Sequence, residues 1–176
     1  MSSTPDGRFL LFASESKRTG IDLWLLPLSG GTRAIPLLQQ DFDQLDGRVS
    51  PDGRWLAYVS NESGNNEVFV RGLTKDSATG ALVPGPGQFV SSGGGTSPRW
   101  RKDGRELFYQ SRGGAVMSVT VDAASFGTPN ELFRAPGIQT EWSVSEDGQR
   151  FLVAAPSRQS APTFTVVVNW QSVLKN

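Results

Sequence analysis

One four-residue turn recurs along the chain at near-constant spacing. Ser50-Pro51-Asp52-Gly53 is its fullest form, and Thr4-Pro5-Asp6-Gly7 repeats it. Arg101-Lys102-Asp103-Gly104 and Ser145-Glu146-Asp147-Gly148 keep the Asp-Gly step and change the residues before it. Successive Asp-Gly steps lie 46, 51 and 44 residues apart. The turn chemistry is explicit: Pro presets φ at the second position, Asp suits the third, and Gly accepts the positive φ that leads into a strand. Asp6, Gly7, Asp52, Gly53, Asp103, Gly104, Asp147 and Gly148 are therefore read as turn residues with a structural role.

The segment after each turn repeats as well. Seven residues after the glycines stand Ser14, Ser60, Ser111 and, in the last unit, Ala155. The intervening segments, Arg8–Ala13, Arg54–Val59, Arg105–Gln110 and Gln149–Ala154, are apolar and aromatic runs of strand length. Second strands are expected at Ile21–Leu26, Glu67–Val70, Val116–Val121 and Phe164–Val168, and weaker ones at Thr32–Ile35, Gln88–Val90 and Glu131–Phe133. Arg48–Val49, Pro98–Trp100 and Glu141–Val144 would lead into the turns. No segment sustains a 3.6-residue apolar period, so helix should be scarce. A unit of about 45 residues with up to four strands is the pattern of a propeller blade. The expected fold is all-β: about four four-stranded antiparallel blades in one domain over residues 1–176, with units near 1–46, 47–96, 97–139 and 140–176.

These residues resemble the WD40-like PD40 repeat of TolB-type bacterial propellers. Arg48-Val49-Ser50-Pro51-Asp52-Gly53-Arg54-Trp55-Leu56-Ala57-Tyr58-Val59-Ser60-Asn61 matches that repeat best. Pro98–Gly104 matches apart from the Ser-Pro, and Glu146 stands where Pro belongs. The resemblance implies six or more blades in a complete ring. Four units therefore read as a partial propeller or half-ring, the C-terminal part of a larger module, with only Met1–Thr4 before the first turn. Closure as a four-bladed ring is the other expectation. The resemblance also implies that inter-blade loops and the loops after the serines share one face, where a partner would dock. On that face it places Lys17, Arg18, Asp41, Asp43, Asp46, Asn61, Glu62, Arg112 and Arg158.

Composition narrows the function classes. Lys plus Arg and Asp plus Glu are 17 each, which gives no electrostatic footprint for nucleic acid or an anionic membrane. No apolar stretch approaches the ~20 residues of a spanning helix. Residues 1–20 are polar and charged, so no signal peptide is expected within this chain. Zero histidines rule out Ser-His-Asp and Cys-His nucleophilic chemistry built from this chain alone. Zero cysteines leave no disulfide to clasp a ring. Asp41, Asp43 and Asp46 could hold a hard cation through oxygen, but their spacing departs from a calcium loop, and a solvated inter-blade loop is the expectation. Gly93–Gly95 reads as a flexible loop, and Ser60–Glu67 as hairpin turn chemistry. Trp24, Trp55, Trp100, Trp142 and Trp170 are expected to fill space between twisted sheets, with Trp100 and Trp142 at equivalent places.

The expectation is a non-catalytic module for protein interaction or ligand sensing, with no metal and no cofactor. The alternative is the gating propeller of a prolyl-oligopeptidase-like hydrolase whose catalytic domain lies elsewhere. A weaker third is a lyase or hydrolase using carboxylates at the channel mouth. More repeat units upstream of Met1 after a kinase or transcription-factor domain would favour the first, and a fused peptidase the second. An open arc would also leave its end faces bare, with Phe9, Phe12, Phe151 and Val153 among the exposed strand residues. The outcomes are then four-bladed closure, pairing of two chains into an eight-bladed ring, or instability, and the two-chain ring is the expectation.

Overall fold

A computed structural model describes residues 1–30, 32–123, 125–134 and 142–155, together with the strand over 163–168. Fifteen strands form four antiparallel sheets, and no helix occurs among the described residues. The first sheet runs β1 (Ser2–Ser3), β2 (Phe9–Ser16), β3 (Gly20–Pro27), β4 (Ile35–Leu38) in sequential order. The second runs β5 (Gln44–Val49), β6 (Trp55–Ser60), β7 (Glu67–Lys75), β8 (Leu82–Phe89). The third runs β9 (Gly95–Trp100), β10 (Glu106–Ser111), β11 (Ala115–Thr120), β12 (Asn130–Arg134). The fourth holds β13 (Trp142–Val144), β14 (Arg150–Ala155) and β15 (Thr163–Val168). The tail around Trp170 lies outside the described residues.

Four copies of one turn open these sheets. Gly7, Gly53, Gly104 and Gly148 all take φ between 66° and 75°. In the second blade Gly53 N–H donates to the Ser50 carbonyl at 2.8 Å, and Ser50 Oγ donates to Asp52 Oδ1 at 2.6 Å while accepting from Trp55 N–H at 2.9 Å. Thr4 and Ser145 do the same work in the first and fourth blades. The third blade has no hydroxyl at this place. There the Arg101 guanidinium donates to both oxygens of Asp103, at 2.8 and 2.7 Å. A cation thus replaces the missing serine and holds the same carboxylate.

The first strands of neighbouring blades lie together, β1 against β5 and β5 against β9, and the outer strands β4 and β8 meet at the rim. Three apolar clusters fill the gaps between blades. The first joins Phe9, Leu11, Leu23 and Leu25 to Leu56, Tyr58 and Phe69. The second joins Ala57, Val59, Val68 and Val70 to Leu107, Tyr109 and Val119. The third joins Phe108, Val116 and Leu132 to Trp142, Phe151 and Val153. Each inner sheet is thus covered on both faces, which is why its strands read as nearly continuous apolar runs rather than alternating ones.

Several expectations shift. The outer strand of the first blade is Ile35–Leu38, three residues later than Thr32–Ile35. That of the second is Leu82–Phe89, far longer than Gln88–Val90. Pro84 and Pro86 argue against a strand there, but an edge strand tolerates a missing N–H. The hairpin also lengthens because Asp76 Oδ1 accepts from Ala78 N–H, Thr79 N–H and the Thr79 hydroxyl, closing a tight turn beyond Lys75. Trp100 and Trp142 are not equivalent: Trp100 pairs with Leu107, whereas Trp142 pairs with Val153, two residues along the partner strand. Both still face the preceding blade, because a two-residue slip keeps the side-chain face. Phe9, Phe151 and Val153, expected at a bare end face, are buried between blades, and only Phe12 of that group faces outward.

Candidate functional site: the loop face

The two ends of the arc differ. At one end the Asp-Gly turns lie side by side, with Gly104 against Pro51 and Asp52, and Gly148 against Arg101. At the other end the hairpin loops after β2, β6 and β10 meet the crossovers between blades.

Asp43 organises the first crossover. Its Oδ1 accepts from Ile21 N–H at 2.9 Å, and its Oδ2 accepts from Asn61 Nδ2 at 3.0 Å. Asp43 N–H in turn donates to Asn61 Oδ1 at 3.0 Å. Both side chains tie the first blade to the second. Beside them lies a shallow groove of about 480 Å³ lined by Arg18, Thr19, Asp41, Phe42 and Gly64 as well as this pair. Phe42 is 44% exposed there.

Glu67 organises the second crossover. It is 5% exposed, accepts from the Ser91 hydroxyl, and accepts from Gly94 N–H at 2.7 Å. Ser91 Oγ also accepts from Val68 N–H at 2.7 Å. Gly94 sits at φ 107° against Arg112, where a Cβ would come within 2.7 Å of the arginine's own Cβ. The glycine run is therefore a packed latch rather than a flexible loop. Burial and the neighbouring Glu67 charge push the Tyr109 hydroxyl up to about 12. A groove of about 250 Å³ runs past Asn65, Asn66, Gly94, Thr96 and Arg112.

The sequence-expected residues divide accordingly. Arg18, Asp41, Asp43 and Asn61 come together on the first groove, and Arg112 lines the second. Lys17 lies exposed beside Arg18 on the hairpin. Glu62 is half-buried, and its N–H donates to Ser60 Oγ. Asp46 is not in the loop: it sits in β5 at φ 49°, where the pairing with β6 slips. Ser97 repeats the feature at φ 54° in β9, so this is a recurring bulge of the innermost strand. Arg158 lies outside the described residues. Phe42, Thr19, Glu67 and Gly94 were not anticipated. Glu67 had one available signal: it stands opposite Ser60 as Asp22, also buried, stands opposite Ser14. Among the described residues no three acidic groups gather to hold a metal ion.

The ends also differ in charge pairing. On the turn face Asp6 pairs with Lys75 at 3.0 Å, Asp52 with Arg54 at 2.6 Å and Asp103 with Arg101 at 2.7 Å. The Thr4 hydroxyl, with Lys75 and the Arg8 N–H, holds Asp6 down at about 2. The Arg101 guanidinium holds Asp103 down at about 2. On the loop face Lys17, Arg18, Asp41, Glu62 and Arg112 form no ion pair among the described residues.

Solved structures share this architecture. A putative TolB from Agrobacterium tumefaciens superposes with a TM-score of 0.71 at 21% identity, covering 95% of this chain and 56% of its own. The fold is that of a TolB-like β-propeller. TolB from Acinetobacter baumannii gives 0.63 at 21% identity over 95% of this chain and 40% of that one. A Mycobacterium tuberculosis puromycin-hydrolyzing peptidase gives 0.60 at 20% identity over 87% and 27%. The chain thus spans about half or less of these propeller-bearing proteins. No protein-family model matches the sequence, and no curated protein does.

Proposed function

We propose that this TolB-like propeller is a non-catalytic module that binds a protein partner through its loop face. The observation that carries the reading is the contrast in charge pairing. The turn carboxylates Asp6, Asp52 and Asp103 are each paired with a cation, while on the loop face Lys17, Arg18, Asp41, Glu62 and Arg112 have no ion-pair partner among the described residues, and Arg18 and Asp41 share their groove with the exposed ring of Phe42. Charges of both signs around an aromatic anchor suit a polar-rimmed protein interface. Asp43, Asn61 and Glu67 stiffen the loops beneath, so little ordering cost attends docking.

The likeness to the puromycin-hydrolyzing peptidase supports a second reading, in which the same face gates a catalytic domain. Both readings expect no turnover from this chain alone, since nothing among the described residues assembles a nucleophile, base and oxyanion site. Cross-linking to a partner isolated on the immobilised chain separates loop-face from turn-face docking. Cross-links at Lys17 with loss of binding in Arg18→Glu and Arg112→Glu support the proposal. Cross-links confined to Lys75 and Lys102, or ester, peptide or phosphoryl turnover abolished by Asp41→Asn, overturn it.

A further inference from the structure

The two grooves of the loop face occupy the same place in successive units. Asp43 and Gly94 each stand ten residues before the turn glycine of their blade, immediately ahead of the innermost strands β5 and β9. Asn61 and Arg112 each follow the serine that stands seven residues after that glycine. Ile21 and Asn66 each precede a buried acid, Asp22 or Glu67, that pairs across strands with a serine. The repeat therefore matches Asp43, Asn61 and Ile21 of the first groove with Gly94, Arg112 and Asn66 of the second.

In the first groove a carboxylate of the chain itself joins the other two residues. Asp43 accepts from Ile21 N–H and from Asn61 Nδ2. In the second groove the matching residue is glycine and has no carboxylate to offer. Glu67 lies beneath, but its oxygens accept from the Ser91 hydroxyl and Gly94 N–H, and it forms no ion pair with Arg112. The side chains of Asn65, Asn66, Thr96 and Arg112 line this groove and make no hydrogen bond or ion pair among the described residues. Arg112 is nevertheless held in place. Its N–H donates to the Gly94 carbonyl at 3.2 Å. Its stem packs so closely on Gly94 that a Cβ there would meet the arginine Cβ and Cδ at 2.7 and 3.3 Å. The stem is fixed and the guanidinium, which can only donate, is unpaired. The groove lacks an acceptor where the preceding unit carries a carboxylate.

The change from Asn61 to Arg112 fits an acceptor that comes from outside. A neutral amide suffices for a carboxylate that the chain already holds nearby. A carboxylate from another molecule must offset the freedom lost on association, and a charge-assisted pair is roughly twice as strong as a neutral one.

We propose that the second groove binds an aspartate or glutamate side chain of a protein partner, with Arg112 as its paired cation. This rests on the loop-face docking reading and names the partner's chemistry at one point of that face.

Amide chemical shifts of the isotope-labelled chain read the site. An acetylated, amidated Gly-Asp-Gly peptide at millimolar concentration should move the Asn66, Gly94 and Arg112 resonances. The matching Gly-Asn-Gly peptide should bind about tenfold more weakly, and so should the Asp peptide to Arg112→Gln. Arg112→Lys, which keeps the charge, should fall between. Lys102→Gln on the turn face removes one positive charge and should leave binding unchanged. If Arg112→Gln loses its strand signal in circular dichroism, salt reads the same pair: wild-type affinity should fall with ionic strength for the Asp peptide and not for the Asn peptide. Equal affinity for the two peptides, wild-type affinity in a folded Arg112→Gln, or no shift at all overturns the proposal. Tighter binding of an acetylated triglycine with a free C-terminus assigns the groove to a chain end and overturns the side-chain assignment. A partner that cross-links at Lys17 yet binds Arg112→Gln as well as wild type fails this inference alone. Cross-links confined to Lys75 and Lys102 fail the loop-face reading instead.

Discussion

The rear faces of the first and second blades carry the same repeat positions and meet different surroundings. Leu56 lies at 0% exposure beneath the first blade, whereas Leu10, its counterpart, is half-buried and joins no inter-blade cluster among the described residues. The side chains match in type because the repeat prescribes them. Their energetic weight differs because hydrophobic stabilisation scales with area removed from water, and only a neighbouring blade removes it. A propeller position is therefore core or surface according to what stands beside it.

The sharpest break of this comparison is Leu56→Ala against Leu10→Ala. The first should lower unfolding free energy by about 3 kcal/mol, the second by about 1 kcal/mol or less at concentrations where the chain is monomeric. Urea denaturation in the low micromolar range measures both. Equal losses would mean that the first blade's rear face is already covered within one chain.

Next comes the buried latch between the second and third blades, which has no counterpart at the first blade's rear face. Ser91→Ala removes a hydroxyl that bridges Val68 N–H and the Glu67 carboxylate. It should cost about 2 kcal/mol, since it leaves a buried carboxylate oxygen short of a donor. Arg112→Ala on the adjacent loop should stay within about 0.5 kcal/mol. The same denaturation series tests both, and a Ser91→Ala protein as stable as wild type would deny the latch its role.

Smaller still is the turn. Ser50→Ala should cost about 1 kcal/mol, because Asp52 loses its hydroxyl donor and Trp55 N–H its acceptor. Thermal melts decide whether Arg101→Ala in the third blade costs a similar amount. If it does, the guanidinium and the hydroxyl are interchangeable supports for one carboxylate.

The smallest effect is the response to acid. Asp6 and Asp103 titrate at about 2 in the folded protein, held down by the Thr4 hydroxyl and the Arg101 guanidinium respectively, against about 3.9 in an unfolded chain. Each therefore contributes stability that is fully present above about pH 4 and is lost as pH falls toward 2. Both are solvent-exposed, so the contribution is modest and weakened by salt. Urea midpoints at pH 5 and pH 2.5 should differ less in Asp6→Asn than in wild type. An unchanged difference would show that Asp6 does not take part.

The repeat was legible because tight turns are local. Pro, Asp and Gly at fixed offsets encode backbone angles within four residues, and Gly53 at φ 75° needs no distant partner. The strands after the turns were legible for the same reason, since their apolar runs start at a marked position. The outer strands were not. Leu82–Phe89 carries two prolines and two glycines, and pairing with β7 alone makes it a strand. The site was half legible. Loop position flagged Arg18, Asp41, Asp43, Asn61 and Arg112, but residue type could not say which would be consumed as ties.

The sequence by itself determined a repeated unit, its turns, its strand order and the absence of histidine chemistry. These are properties of composition and of contacts a few residues apart. Tertiary structure alone decided that Asp43 and Asn61 lock two blades, that Glu67 is buried, and that Leu10 and Phe12 are only half-buried where Leu56 and Tyr58 are fully buried. Those outcomes depend on which groups from different sheets meet: Asp43 reaches Ile21 N–H and Asn61 only once two sheets stand side by side, and no local pattern encodes that meeting.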